Sequence, residues 1–311
     1  MSEIKEWLES IDWVDWDLEV VSADASFRSY YRLRKDNESY ILMDSSLVLE
    51  SLLPFMEISE RLSRVNVRVP SIIVRNIKLG YLILEDFGSV HYLDVLNEGN
   101  YRKLYKKAID EIVKMQKACS GDLPPYDKDF LLFEMELMQE WYLDKYLQIP
   151  ITPKQQSIID ESLERIASVV LEQPQGVFVH RDYHSRNIML TAKNDIGIID
   201  FQDARVGAIT YDLVSLLKDC YIEWDKKEVE KLALYYRDAA KLDVDDVTFI
   251  KFFDFMGLQR HIKVLGIFAR LSLRDGKNGY LDDIPLTLRY IVETASKYPE
   301  TEDIAKMLES L

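Results

Sequence analysis

Apolar and polar positions along this chain follow two rhythms. From residue 18 to residue 44 the period is close to two. Residues 18–22 are β-branched and apolar. Residues 27–33 alternate, with Phe27, Tyr31 and Leu33 on one face and Arg28, Tyr30 and Arg32 on the other, as a strand requires. Lys35-Asp36-Asn37-Glu38 reads as a polar turn, and residues 40–43 as a third strand. Leu49, Leu52, Leu53, Met56 and Leu62 then recur at three- and four-residue steps. That spacing predicts a helix with Pro54 in its first turn, where a missing N–H costs little. Two more short strands, 72–74 and 81–84, flank a turn at Lys78-Leu79-Gly80.

After Gly88 the rhythm becomes helical. Residues 92–118, 129–147 and 153–171 read as helices, separated by Pro124-Pro125 and by Pro150. Residues 176–200 are the only β-like stretch of this half, and everything after Asp212 reads as helix. The pattern predicts an α+β chain: a small β-rich lobe over residues 1–88, a hinge near 85–88, and a larger, mainly helical lobe over 89–311. No Ser/Gly-rich linker separates the halves, so they are expected to meet along a tight hinge.

Composition narrows the class. The 311 residues are 48% hydrophobic, enough for a real core. The net charge of −15 argues against nucleic acid as a partner, because duplex affinity rests on Lys and Arg. Cys119 and Cys220 fit neither a disulfide framework nor a metal knuckle; both sit in apolar, helix-like contexts and are expected to be buried thiols. The first ten residues carry Glu3, Lys5, Glu6 and Glu9 in place of an apolar leader, and no run is long enough to span a bilayer. A soluble, cytoplasmic protein without a membrane partner is the expectation.

The chemistry gathers in residues 179–212. His180-Arg181-Asp182 is followed by Asn187, then by the apolar pair of runs 188–190 and 196–199 around a polar turn, ending on Asp200. This spacing resembles the H-R-D-x-x-x-x-N catalytic loop of protein-kinase-like enzymes, with a second aspartate beyond it. Phosphoryl transfer needs a carboxylate to take the acceptor's proton and oxygen ligands for Mg²⁺ on the phosphates. Asp182 suits the first role; Asn187 and Asp200, brought together by a hairpin, suit the second. Asp200-Phe201-Gln202 stands where a protein kinase has Asp-Phe-Gly, and no activation segment follows. That points to a small-molecule kinase.

At this level the chain resembles the aminoglycoside phosphotransferase/choline kinase-like family. Within that group it is similar to the bacterial anomeric kinases of N-acetylmuramate and N-acetylglucosamine in cell-wall recycling. The likeness is carried by residues 23–28, 42–44, 82–88, 140–143, 180–187, 199–204, 210–217, 265–271 and 274–277, and so spans nearly the whole chain. It implies a protein-kinase-like two-lobed fold, with ATP and Mg²⁺ as cofactors and a small sugar as substrate. Asp182 would be the catalytic base, and Asn187 and Asp200 the metal ligands. Asp212 would anchor the catalytic loop through His180 or Arg181. Glu85, Asp86 and Phe87 would form the adenine-binding hinge, and Ser22, Ala25 and Ser26 would belong to the turn over the phosphates.

Two departures from the family pattern bear on function. No Gly-x-Gly-x-x-Gly precedes the second strand. The phosphate-gripping lysine of the third strand is replaced by Met43, which leaves Glu57 without its usual partner. Arg28 or Arg32 is the expected substitute, since a guanidinium can fork onto phosphate. For the acceptor, His184 and Arg186 lie inside the catalytic loop. Arg205, Arg260, Lys263, Arg270 and Arg274 are cations available to a sugar carboxylate, and Trp141 and Tyr142 are candidate stacking residues that fit a core position better. His91 and His261 read as structural. Phosphorylation of an aminoglycoside, a choline-like amine or homoserine, and a catalytically silent nucleotide-binding module, are the alternative readings.

Overall fold

The computed structural model describes residues 2–22, with the backbone alone at Ser22, and 28–310. A short helix, α1 (Ser2–Ser10), leads into strands β1 (Asp17–Ser22), β2 (Ser29–Lys35) and β3 (Glu38–Asp44). Helix α2 (Leu52–Arg64) and strands β4 (Ile72–Asn76) and β5 (Tyr81–Glu85) follow. The five strands form one antiparallel sheet in the order β1-β2-β3-β5-β4.

Strand alternation gives this sheet two apolar faces. Leu33, Leu42, Tyr81 and Ile83 bury against Ile4, Trp7 and Leu8 of α1, which recur at helical spacing. Met43, Leu82 and Leu84 face the other way, into the main core with Leu52, Phe55, Ile58 and Leu62 of α2. Pro54 falls in the first turn of α2, as expected. The buried stripe of that helix runs through Phe55 and Ile58, while Leu49 and Leu53 are exposed. Leu52 and Leu62 of the expected positions lie on the buried face.

The remaining chain is mainly helical: α3 (Tyr92–Val95), α4 (Tyr101–Met115), α5 (Lys128–Leu137), α6 (Pro153–Glu172), α7 (Tyr211–Leu217), α8 (Lys226–Ala239), α9 (Asp246–Asp275), α10 (Ile284–Ala295) and α11 (Glu302–Glu309). Four short strands, β6 (Val177–Val179), β7 (Ile188–Leu190), β8 (Ile196–Ile198) and β9 (Arg205–Gly207), make two ribbons, β6 with β9 and β7 with β8. Strand β9 lies beyond the stretch expected to be β-like. The helix expected over 92–118 is broken between α3 and α4, where the side chains of Asn97 and Asn100 bond nearby backbone groups instead. Cys220 is buried but Cys119 is exposed, because it follows the end of α4 on the surface rather than lying within the helix.

Helix α9 is the axis of this part, buried over most of its length and capped by Asp245 at its start and Gly276 at its end. Its Gly266 explains a second departure. Residues 129–147 are not one α-helix; α5 widens at Leu137 into a π-helical segment, Met138–Tyr146. A Cβ on Gly266 would overlap the Leu137 carbonyl and lie 2.6 Å from Met138 N. The two backbones touch where the helix widens, next to the site described below. Among the described residues, no helix is long and apolar enough to cross a membrane.

Candidate active site

The loop between β6 and β7 carries Asp182, and its shape is held by buried carboxylates. Asp212, at the start of α7, accepts from the backbone N–H of His180 at 2.8 Å and of Arg181 at 3.0 Å. Asp219, two helical turns on, accepts from Ser185 N at 2.9 Å and Ser185 Oγ at 2.5 Å. The His180 ring is fully buried and bridges the two sides. Its Nδ1 accepts from Asp182 N at 3.3 Å, so Nε2–H donates to Ile199 O at 3.1 Å. Burial pushes His180 down and keeps it neutral. Burial pushes Asp212 up to about 6, against the pull of His180 and the two N–H donors.

Arg181 and Asp200 both adopt left-handed backbone, at φ 79° and 63°. For non-glycine residues this is strained, and surrounding structure must enforce it; here the Asp212 and His180 bonds do so. Asn187 Nδ2 donates to Asp182 O at 3.0 Å and to Asp200 Oδ2 at 3.2 Å. Gln202 Nε2 donates to Asp200 Oδ1 at 2.8 Å. Three residues separated in sequence thus meet in one cluster. Burial pushes Asp182 up, but Lys263, His184 and Arg181 outweigh it and hold the carboxyl below its usual range. Asp200 moves the other way, to about 6, through burial and the neighbouring Asp182 charge.

The cluster stands where two cavities meet. The first, about 820 Å³, lies between the five-stranded sheet and the helices. Tyr30, Ile41 and Leu84 of the sheet and Met189 and Ile199 of the hairpin flank it, with residues 85–88 along one edge. That is an apolar slot of the size of a nucleotide site. The second, about 380 Å³, is lined by Phe130, Arg181, Arg260, Lys263 and Arg270. Asp182, His184, Tyr221 and Tyr280 line both.

Of the expected nucleotide residues, Glu85, Asp86 and Phe87 line the first cavity. Asp86 is gripped by Arg32 at 2.7 and 3.2 Å, and Arg32 also donates to Gly88 O at 2.8 Å. Glu85 accepts from Arg68 at 2.8 Å. The Phe87 ring closes over Gly197 of β8. Met43 is fully buried in the core, and Glu57 is exposed on α2. Arg32 lines this cavity but is paired with Asp86. Arg28 is buried, donates to Ser51 Oγ and O, and lies close enough for its charge to lower Asp200. Ser22 ends β1 opposite Tyr30; Ala25 and Ser26 lie outside the described residues.

On the acceptor side, His184 sits 5.3 Å from the Tyr221 ring, and burial pushes it down to about 4. The Arg186 guanidinium stacks 3.6 Å over the same Tyr221, and its backbone carbonyl accepts from His91 at 2.6 Å. Arg205 stacks on Phe130 at 3.4 Å and donates to Pro125 O at 2.8 Å; it lines neither cavity. Arg274 is paired with Asp275 outside them. Trp141 is covered by Lys145, and Tyr142 is buried in the core.

Several site residues were not anticipated. Asp219 had a signal, a carboxylate beside the buried apolar run of α7. Glu134 had none: it is one of four charged residues in α5, yet it is buried and bound to Arg181 at 2.8 Å, Lys263 at 3.0 Å and Tyr126. Tyr221 and Tyr280 likewise show their place only in three dimensions.

A hard divalent cation fits the Asn187–Asp200 pair, since both offer oxygen and Asp200 is open to the cleft. Among the described residues, no group of three or more His, Cys, Asp or Glu is placed to hold a metal. Phosphate oxygens and water would have to complete its shell, as Mg²⁺ prefers in phosphoryl-transfer sites.

Comparison with known proteins agrees with this geometry. The model of the phosphotransferase enzyme family matches residues 17–248. The chain is 38% identical to an N-acetylmuramate/N-acetylglucosamine kinase of Pseudomonas aeruginosa, over 93% of this chain and 87% of that protein. It is 37% identical to a protein of the same name from Neisseria meningitidis, over 99% and 95%. Among solved structures, an ADP-bound aminoglycoside phosphotransferase superposes with a TM-score of 0.64 at 18% identity, covering 94% of this chain and 98% of that one. A choline kinase from Streptococcus pneumoniae gives 0.65 at 13%, with the same coverage. At such identities these structures speak for the kinase-like fold alone.

Proposed function

The chain belongs to the phosphotransferase enzyme family, and on that footing we propose that it transfers the γ-phosphate of ATP to the anomeric hydroxyl of N-acetylmuramate or N-acetylglucosamine. The observation that carries the reading is the position of Asp182, on the wall shared by a nucleotide-sized cavity and a smaller one. ATP would lie in the first, its base against the backbone of 85–88, and the sugar in the second. We place the division between lobes at this join, with residues 1–88 above it and 89–311 below.

The Asp182 carboxylate accepts a hydrogen bond from the acceptor hydroxyl, orients its oxygen toward the γ-phosphorus, and takes the proton as the new P–O bond forms and the bond to ADP breaks. Its depressed pKa keeps it ionised and ready for this. Asp212 and His180 hold the loop so that the carboxylate does not swing away. Asn187 and Asp200 would hold Mg²⁺, which would supply the positive charge that offsets the charge of the phosphates. Arg28 supplies the positive charge that Met43 cannot, and the turn containing Ser22, Ala25 and Ser26 is assigned to the phosphates on family resemblance.

The lining of the second cavity favours sugars over amines. Asp182, Glu134 and Asp203 also line it, but Glu134 is taken up by Arg181 and Lys263, and Arg260 and Arg270 on the facing helix would repel a choline-like or aminoglycoside cation. Release of ADP with each acceptor tests the reading. N-acetylmuramate and N-acetylglucosamine are expected to drive it, and choline and kanamycin are not; ADP release with the amines alone would overturn the assignment.

A further inference from the structure

Helix α9 presents Arg260, Lys263, Ile267 and Arg270 to the second cavity, at spacings that share one face. Their bonding differs. Lys263 is paired with Glu134, as is Arg181 across the cavity. Arg260 is only 4% exposed, and the hydrogen bond it makes is to Cys220 Sγ at 3.6 Å. Among the described residues no carboxylate lies within ion-pair distance of it. Arg270 has a buried Nε with no partner, and burial together with Arg274 pushes its guanidinium down. Arg181 Nε, on the same cavity, is also buried without a partner.

A buried guanidinium without a counter-ion is costly, far more so than a solvated one. Here the cost is concentrated in a cavity that opens on Asp182. Glu134 is already saturated by Arg181, Lys263, Tyr126 and Gln259. The missing anion must come with a ligand. The first cavity, with its own Asn187–Asp200 pair, is the place for the nucleotide phosphates; the second is the place for the acceptor.

We infer that Arg260 and Arg270 form a carboxylate-binding subsite, so that the enzyme favours an acidic amino sugar such as N-acetylmuramate over a neutral one. This rests on the proposed function and deepens it. The acid group of the lactyl ether reaches the α9 wall, while the sugar ring lies between Tyr221 and Tyr280 with its anomeric hydroxyl at Asp182. Arg260 and Arg270 act on binding and orientation and touch no reacting atom. N-acetylglucosamine lacks the acid and leaves both guanidinium groups without a counter-ion.

The test compares kcat/KM for N-acetylmuramate and N-acetylglucosamine in wild type and in Arg270→Gln, together with wild type acting on the lactyl amide of N-acetylmuramate. The amide needs no variant, so a misfolded Arg260 substitution cannot obscure the answer. The acid-to-neutral ratio is expected to fall about ten-fold or more in Arg270→Gln, and the amide to lose a similar factor, the scale of one hydrogen bond to a charged group. An unchanged ratio with an amide as good as the acid overturns the subsite and leaves the kinase reading standing. Equal losses for both sugars with a raised KM for ATP overturn it too, because the anion would then be phosphate. Turnover of neither sugar by wild type overturns the proposed function, and the subsite with it.

Discussion

Arg32 holds Asp86 through two hydrogen bonds, 2.7 and 3.2 Å long, with both side chains nearly buried. The pair ties the middle of the sheet to the segment that joins it to the helices, and the same guanidinium reaches Gly88 O. Removing one partner strands the other in a poorly solvated place, which typically costs about 3–5 kcal/mol. Asp86→Ala is therefore expected to lower unfolding stability by that order and to weaken ATP binding. Denaturant unfolding and an ATP titration would check both, and a stability loss below about 1 kcal/mol would mean that the pair behaves as a surface bridge.

Gly197 sits under Phe87, where the hairpin β7–β8 meets the segment that follows β5. An added Cβ would overlap the ring, which is itself buried and can move only by shifting the segment beside the nucleotide cavity. Gly197→Ala is expected to destabilise the fold by about 1–3 kcal/mol and to raise KM for ATP more than it lowers kcat. Steady-state kinetics at varied ATP would detect this; an unchanged KM would show that Phe87 yields without disturbing the cavity.

His261 makes stability depend on pH. It is buried, donates to Lys218 O at 2.9 Å and stacks on Tyr290. Burial and the adjacent Arg260 push it from 6.5 to about 3. The unfolded chain therefore binds the proton first, and stability is lost as pH falls from about 6.5 toward 3, at up to about 1.4 kcal/mol per pH unit. Asp212, raised to about 6 by burial, works in the opposite sense between its unfolded value and 6, so the informative quantity is a difference. His261→Gln keeps a donor for Lys218 O and cannot titrate. The stability gap between wild type and variant should change in the variant's favour on acidification through this window, and parallel curves would rule out a role for His261.

The meeting of Asp182, Asn187 and Asp200 was legible because these residues lie within 21 residues, His180 to Asp200, on a hairpin whose apolar runs fix their separation. The strands of the sheet were legible for the same local reason, through period-two alternation. Arg32 illustrates what was not. Its place on one face of β2 was evident, but its partner Asp86 is 54 residues away, and only the folded chain reveals that the two pair. The π-helical segment was hidden because its cause, the close approach of Gly266 to Leu137, joins residues more than a hundred positions apart. Arg260 and Arg270 looked like any helical cations until the structure buried one and placed both on a cavity that Asp182 also lines. Helix α1 went unrecognised because nine residues give too few turns for periodicity to stand out, although Ile4, Trp7 and Leu8 carry it.

The account depends most directly on Asp182. Phosphorus NMR of ATP, Mg²⁺ and the purified protein with N-acetylglucosamine and with N-acetylmuramate would follow ATP consumption and the position of transfer together. The expected result is a sugar-1-phosphate signal with wild type and none with Asp182→Asn, while the variant keeps its fold and binds ATP. The same signal at comparable rate from folded Asp182→Asn would contradict the mechanism, and ATP left intact by wild type with both sugars would contradict the assigned function.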